Sequence, residues 1–559
     1  MKKVLAIILA ALMILSVVAC STDKGESKPS VDATTGTDPK GTDEKPVELN
    51  IITTLAGDNE KFYDTNVYKE FTKQSGVKLT STYVDQTKFD LLIAGGDTTD
   101  LIACYHAENY KNLASGGLVL RLNDLIDKYG NNLKKPEKDI MWTLLKDKYD
   151  NDDGSVYGVV NSIGMQGGNA RATNLGTYTI WEYYKEIGAP ELNDFGDFVD
   201  ALEKIVKLHP TNAEGQPIYA FSLYNVENQL YPFYGPLINY GAGFRTYNAY
   251  IATKFSDNSL CYMFLDDEGP YWMAAKYMND AYNRGILDPD SFIQTRADFD
   301  TKVDNGQVLS NYYAASREGW EIIPMKGTWM QENLFDIGGN CVCIASTCKD
   351  KVAAIKLLDY LHSPEGCRLI YSGIQGEHWD YNDKGEPCFT EETIAHMKAG
   401  GDEWLATGVD EYMLYSIAGV ARGVKCADGY ATALERTKPF FTAGLNENGK
   451  DFIKFYSDRD GVDYLYPNEV LYARGVKDGS NLNAAITKSY GTPPDDIARI
   501  DAALLEIAIN SVPNLVMAAP ADFEDVKAKV LADFKSAGVQ KSYEYWQSRW
   551  KELADKFMD

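Results

Sequence analysis

The sequence predicts an α/β protein with a mostly parallel sheet, and three observations lead there. Strand-like and helix-like patterns alternate from Val47 onward, as they do where helices connect and cover parallel strands. The stretch from Val47, in a chain of 559 residues, is long enough for two or more domains. What precedes it has no core-forming pattern: an apolar run is followed by a polar one.

The N-terminus reads as an export signal. Met1, Lys2 and Lys3 form a short positive region, Val4 to Val18 is apolar apart from Ser16, and Ala19-Cys20 closes the run. The run is short for a spanning helix, which needs about 20 residues. Cys at the cleavage point resembles the lipobox of bacterial lipoproteins, which implies residues 1–19 as signal peptide and Cys20 as the lipidated first mature residue. Ser21 to Pro46 holds two apolar side chains, Val31 and Ala33, so it cannot bury enough surface to offset its ordering entropy. Residues 20–46 are expected to be a lipidated, disordered tether on the extracytoplasmic face of the cell membrane.

Within the body, Val47 to Thr54 reads as a buried first strand. Asn59 to Gln74 has helical spacing at Phe62, Val67 and Phe71, with Gly76 as a stop signal. Val77 to Val84 alternates as a strand, Lys88 to Ala94 is a short helix closed by Gly95-Gly96, and Asp100 to Cys104 is the next strand. Ligands bind beyond the carboxyl ends of such strands, which places Leu55 to Asn59, with Asp58 among them, and Tyr105 with His106 at a candidate cleft edge.

Composition narrows the function. A net charge of −26 argues against nucleic-acid binding and against broad docking on anionic lipid, both of which need Lys and Arg. The nine cysteines are too sparse for a disulfide scaffold. Cys341 and Cys343 fall on one face of a strand expected over Asn340 to Ala345, where they read as small buried hydrophobes rather than metal ligands. Gly444 to Asp451 matches phosphate-loop spacing, but Asp451 replaces the hydroxyl residue and no apolar strand precedes it, so a surface loop is expected. Asp380 to Glu391 resembles a calcium loop with Lys384 at a ligand position; a hairpin turn through Asn382 to Gly385 fits better.

Several segments, in order, carry a family resemblance. They are Leu91 to Ile102, Gly117 to Ile126, Asp153 to Val160, Ile180 to Pro190, Asn283 to Asp290, Asn305 to Ser310, Lys351 to Gly366 and Gly373 to Tyr381. Through them the chain resembles the family 1 extracellular solute-binding proteins, in the larger Gram-positive lipoprotein branch. Trp181-Glu182-Tyr183 departs from the basic residue and Asp frequent there in relatives.

The resemblance implies a two-lobe periplasmic-binding-protein-like fold with a hinge and an inter-lobe cleft. It implies no catalysis, no cofactor and no metal, a small polar ligand such as an oligosaccharide, and delivery to ABC-transporter permease subunits by a monomer. The expected lobes are residues 47–160 with about 332–352, and 161–331 with about 353–559. Ligand-binding candidates are Trp320, Trp379, Tyr105, His106, Asp58 and Trp181, with Tyr240 to Phe244 as a glycine loop that could approach ligand closely. Each aromatic ring fits a protein core as well as a sugar face. Two other classes stay open: an exported polysaccharide-degrading enzyme, which would need a carboxylate pair across a cleft, and a ligand-presenting subunit of a membrane sensor.

Overall fold

In the computed structural model the first sheet begins at Val47. The structure describes residues 45–55, 59–96, 99–105, 107–149, 154–170, 176–224, 230–310, 319–330, 335–479, 486, 489–491 and 493–557. The expected signal peptide, Cys20, the tether up to residue 44, Asp58 and His106 lie outside them.

Strand β1 (Val47–Thr53) pairs in parallel with β2 (Val77–Tyr83) and β3 (Leu101–Tyr105). The helix Asn66–Ser75 connects β1 to β2. Thr65 caps it by accepting from the Tyr68 amide at 3.2 Å, and Gly76 ends it with φ 69°. Because Thr65 is extended, the single helix expected over Asn59 to Gln74 is split into a tight turn at Glu60–Asp64 and this helix. β4 (Gly158–Val160) is followed by β5 (Gly164–Met165), on which the chain leaves the first lobe.

The second lobe carries short strands: β6 (Tyr178–Ile180), β7 (Phe244–Thr246), β8 (Ile251–Lys254), β9 (Leu260–Tyr262), β10 (Trp320–Ile322) and β11 (Trp329–Met330). β12 (Phe335–Asp336) brings the chain back by pairing antiparallel with β5, and β13 (Asn340–Ile344) inserts antiparallel between β3 and β4. The first-lobe sheet therefore has the order β2-β1-β3-β13-β4, with β13 opposed to the rest. Cys341 and Cys343 do share a face of β13, with sulfurs 3.9 Å apart and buried. Gly158 opposite them leaves the space they fill, since a Cβ there would stand 2.8 Å from both sulfurs. β14 (Trp379–Tyr381) and β15 (Pro387–Phe389) form a hairpin through the Asn382 turn, and β16 (Lys477–Asp478) pairs with β11.

Two cores define the lobes. The first runs from Leu49 to Ile163 and again from Ile337 to Ala433; the second runs from Trp181 to Met325 and from Phe452 to Leu553. The chain thus passes between them after Ile163, after Met325 and after Ala433. This corrects the expected boundary near residue 353. Ala354, Ile355, Leu357 and Leu358 pack into the first core, and Asp359 accepts the backbone amides of Asn132 and Leu133 at 2.7 and 3.0 Å, so the chain stays in the first lobe for another eighty or so residues.

Long helices dominate the second core. The helix Asp495–Met517 has the length and hydropathy to cross a membrane, but Leu504, Ala508 and Leu515 are fully buried against the lobe. Its Asp501 accepts from Ser542 and Trp546 of the helix Val539–Phe557 at 2.5 and 3.0 Å. These are the contacts of a core helix. Phe557, at the end of that last helix, packs against both cores.

The chain is fastened to the first lobe where it leaves and returns. The Gly338 amide donates to the Asn161 carbonyl at 2.8 Å, and the Asn340 amide donates to Asn161 Oδ1 at 3.1 Å. A Cβ on Gly338 would lie 1.7 Å from Asn161 Oδ1. Gly338→Ala is therefore expected to destabilise the protein by about 1–3 kcal/mol, as forced overpacking does; urea unfolding that matches the parent would contradict this.

Candidate ligand-binding site

The parallel strands of the first lobe end at one edge, where Tyr105 lies opposite Asn340, the first residue of β13, and Asn161 follows β4. Asn161 Nδ2 and Asn340 Nδ2 both donate to the Ser416 carbonyl, at 3.0 and 2.8 Å. Ser416 ends the short helix Tyr412–Tyr415, which is thereby held at this edge. Glu411, just before it, accepts from Asn59 Nδ2 at 2.8 Å and ties the helix to the segment after β1. Tyr412 is exposed and meets Tyr415 edge-on at 4.8 Å. Arg422 lies 5.2 Å from the Tyr415 ring and 4.6 Å from that of Tyr371, and pairs with Asp410 at 2.6 Å. This wall combines exposed aromatic surface with fixed amide groups.

On the passage between lobes, Gln166 Nε2 donates to Asp336 Oδ2 at 2.8 Å and to Ser162 Oγ at 3.2 Å. Asp336 is near enough to Arg245, on β7 of the second lobe, to favour its charged form, although burial pushes the guanidinium the other way and wins. Arg245 Nη1 and the Tyr490 hydroxyl are buried without a hydrogen-bond partner, while the Tyr247 and Thr253 hydroxyls lie close to each other. Thr253 is opposite Arg245 in the β7–β8 ladder, and the Tyr247 and Tyr490 rings are 5.2 Å apart. A buried polar group left unpaired costs about 1–3 kcal/mol, so these enclosed groups carry an unmet hydrogen-bonding demand.

Beside this cluster the glycine loop Tyr240 to Phe244 approaches Trp329. The Trp329 amide donates to the Gly241 carbonyl at 3.0 Å, and a Cβ on Gly243, whose φ is 87°, would stand 2.8 Å from the indole. Lys477 Nζ lies 5.2 Å from the same ring, which is only partly buried. Tyr240 itself is buried, with its hydroxyl 2.8 Å from Ser310 Oγ.

The residues proposed from sequence are scattered. Trp181 is fully buried among Phe452, Phe455 and Tyr456, and its Nε1 donates to Asp451 at 2.7 Å. Trp379 packs on Phe389 and Leu434 and donates to the Gly373 carbonyl at 3.1 Å. Both are core residues, which corrects their expected place in the cleft: each ring is enclosed and each N–H is satisfied inside its own lobe. Tyr105 stands at the sheet edge, opposite Asn340. Trp320 is half-buried at the start of β10, opposite Ile180, beside Leu471 and Val476. The expected surface loop at Gly444 to Asp451 is instead the start of the helix Glu447–Asp460, capped by Asn446. Among the described residues no cluster of His, Cys, Asp and Glu could hold a metal ion.

Sequence reasoning missed Trp329, Arg245, Asn161, Asn340 and Tyr412. Only the glycine loop signalled any of them, by marking a place of close approach without naming its partner.

The architecture is that of the two-lobe solute-binding proteins of ABC transporters. It is similar to an extracellular solute-binding protein from Bifidobacterium longum subsp. infantis, with 14% identity and a TM-score of 0.57 over 91% of this chain and 98% of that one. It is similar to a solute-binding protein associated with an ABC transporter for HMO from Bifidobacterium longum infantis, with 16% identity and a TM-score of 0.55 over 91% and 99%. A third likeness is to the Streptococcus pneumoniae substrate-binding protein FusA, an EF-hand mutant in complex with fructo-nystose, with 15% identity and a TM-score of 0.53 over 91% and 99%. No protein-family model matches the chain, and no curated protein matches it in sequence.

Next to Trp320, burial pushes the Glu321 carboxyl up to about 7. The folded state then holds a proton that the unfolded chain releases near 4.5, so stability is lost as pH rises between these values. Glu321→Gln is expected to melt like the parent at pH 4 and to be more stable at pH 8 by about 1–3 kcal/mol. Equal melting at both pH values would mean that the carboxyl is better solvated than its surroundings indicate.

Proposed function

We propose that this protein is an extracytoplasmic solute-binding protein that captures an oligosaccharide between its lobes and delivers it to an ABC importer. The observation that carries this reading is a two-lobed frame, joined by β5 and β12, with aromatic and amide groups at the sheet edge of one lobe and an aromatic ring beside a guanidinium in the other. One wall would offer Tyr412 and the fixed amides of Asn161 and Asn340, the other Trp329 with Arg245 and the neighbouring Tyr490 hydroxyl. Sugars present C–H faces to aromatic rings and hydroxyls to amides and guanidinium groups. Two of the solute-binding proteins named above, one associated with a transporter for HMO and one in complex with fructo-nystose, support the same class of ligand. Ligand would be held by closure about β5 and β12, with the open and closed populations set by its affinity for each. Trp320 remains a candidate for the second wall. An acidic protein suits a neutral ligand that needs no electrostatic steering. Neither an enzyme nor a sensor subunit is favoured by a specific observation.

The reading is tested by a thermal-shift screen with a panel of oligosaccharides, since a ligand that binds the native state raises the melting point. With the sugar so found, Trp329→Ala is expected to weaken binding about tenfold to a hundredfold, the 1–3 kcal/mol of one aromatic face leaving water. Its melting point without sugar should stay near that of the parent. Hydrolysis of the sugar, or unchanged affinity with a collapsed melt, would defeat the proposal.

We also propose that the protein is monomeric and anchored through a lipidated Cys20, on the Ala19-Cys20 junction that ends the apolar run. Cys20→Ala is expected to leave the precursor uncleaved or to release the protein from the membrane fraction. Normal processing with full membrane retention would refute the anchor.

A further inference from the structure

A cavity of about 490 Å³ lies against the strands that link the lobes. Ile163, Met165 and Phe335 line it from the passage, and Pro364, Val420 and Val424 line it from the first lobe. These walls are apolar, yet two basic side chains also line it. His362 is 1% exposed, and neither ring nitrogen has a hydrogen-bond partner. Lys138 is 2% exposed, makes one long hydrogen bond to the Gly419 carbonyl at 3.4 Å, and forms no ion pair among the described residues. Both meet at Gly419, which packs directly on the His362 ring. Glu137 and Lys425 are exposed members of the lining.

A buried ammonium with one weak acceptor and an imidazole with none are costly in an apolar wall. Burial holds the Lys138 ammonium down to about 8, so it is still largely charged at neutral pH. Burial, and then the Lys138 charge, hold His362 well below the usual histidine range, so its ring is neutral and carries one N–H donor. A single carboxylate would accept from both groups and remove both costs, while an alkyl chain would cover the apolar wall. A neutral alcohol would cover the wall and leave the charge unmatched.

We propose that this cavity is a second binding site, for a small carboxylic acid with an apolar tail, held at its carboxylate by Lys138 and His362. The site is separate from the cleft walls, and its occupant touches the passage between lobes at Met165 and Phe335.

The test uses octanoate and 1-octanol with the mature protein, by saturation-transfer NMR and calorimetry. Octanoate is expected to bind at millimolar concentration or below, at least tenfold tighter than octanol. Lys138→Met and His362→Phe are each expected to weaken octanoate at least tenfold, with little effect on octanol. Val424→Phe, which adds bulk at a half-buried lining position and leaves both basic residues unchanged, should abolish both and covers the case in which a buried substitution fails to fold. No octanoate binding, equal binding of the two probes, or octanoate binding unchanged in Val424→Phe would overturn the proposal. No sugar is needed, so its failure leaves the reading of the cleft untouched.

Discussion

How the two lobes meet depends on the pairing of β5 with β12, two residues against two. So short a ladder supplies few backbone hydrogen bonds, and it cannot by itself fix the angle between two bodies. The stiffness comes from just inside the first lobe, where Asn161 bonds to Gly338, Asn340 and Ser416. Two of the three passages leave the first sheet from this one fastening, so their bend falls beyond it, at β5 and β12. The same fastening orients the Tyr412–Tyr415 helix. The hinge and one cleft wall therefore share a support, and a change at Gly338 would reach both.

The part of the fold that was legible in the sequence is the part where local pattern and burial agree. β1, β2 and β3 alternate or run apolar over five to seven residues, and Gly76 and Gly96 stop the helices between them. In the second lobe the strands are two to four residues long, below the length at which a period of two can be seen. Lobe membership was misread for a different reason. Ala354, Leu357 and Leu358 give the helix Lys351–Leu361 an apolar face, and such a face looks the same whichever core it covers.

The site was less legible because a sequence shows a ring but not what encloses it. Trp181 and Trp379 each have a hydrogen-bond acceptor for their indole N–H inside their own lobe, at Asp451 and at the Gly373 carbonyl. Both acceptors lie outside the reach of local pattern, Asp451 because it is 270 residues away and the carbonyl because every residue has one. Trp329 differs in that glycines at 241 and 243 leave room for it. Polar groups were harder still: nothing local separates Arg245, buried and partly unpaired, from the many exposed arginines of ordinary ion pairs.

Buried cations are informative in a chain of net charge −26, because acidic partners are plentiful and pairing is the default. Arg422 follows the default, with Asp410 and Glu435 in contact. Arg245 follows it at longer range, with Asp336 near enough to favour its charge although burial outweighs it, and its Nη1 lacks a hydrogen bond. An uncharged, hydroxyl-rich ligand fits that deficit, whereas an anion would compete with Asp336. Lys138 has Glu137 and Asp359 near enough to favour its charge but forms no ion pair among the described residues, so what it lacks is a negative partner in contact. The two places thus select different chemistry by the same rule: the ligand that suits a buried site supplies what the protein has left unmatched, and in one case that is hydrogen-bonding capacity while in the other it is a negative charge.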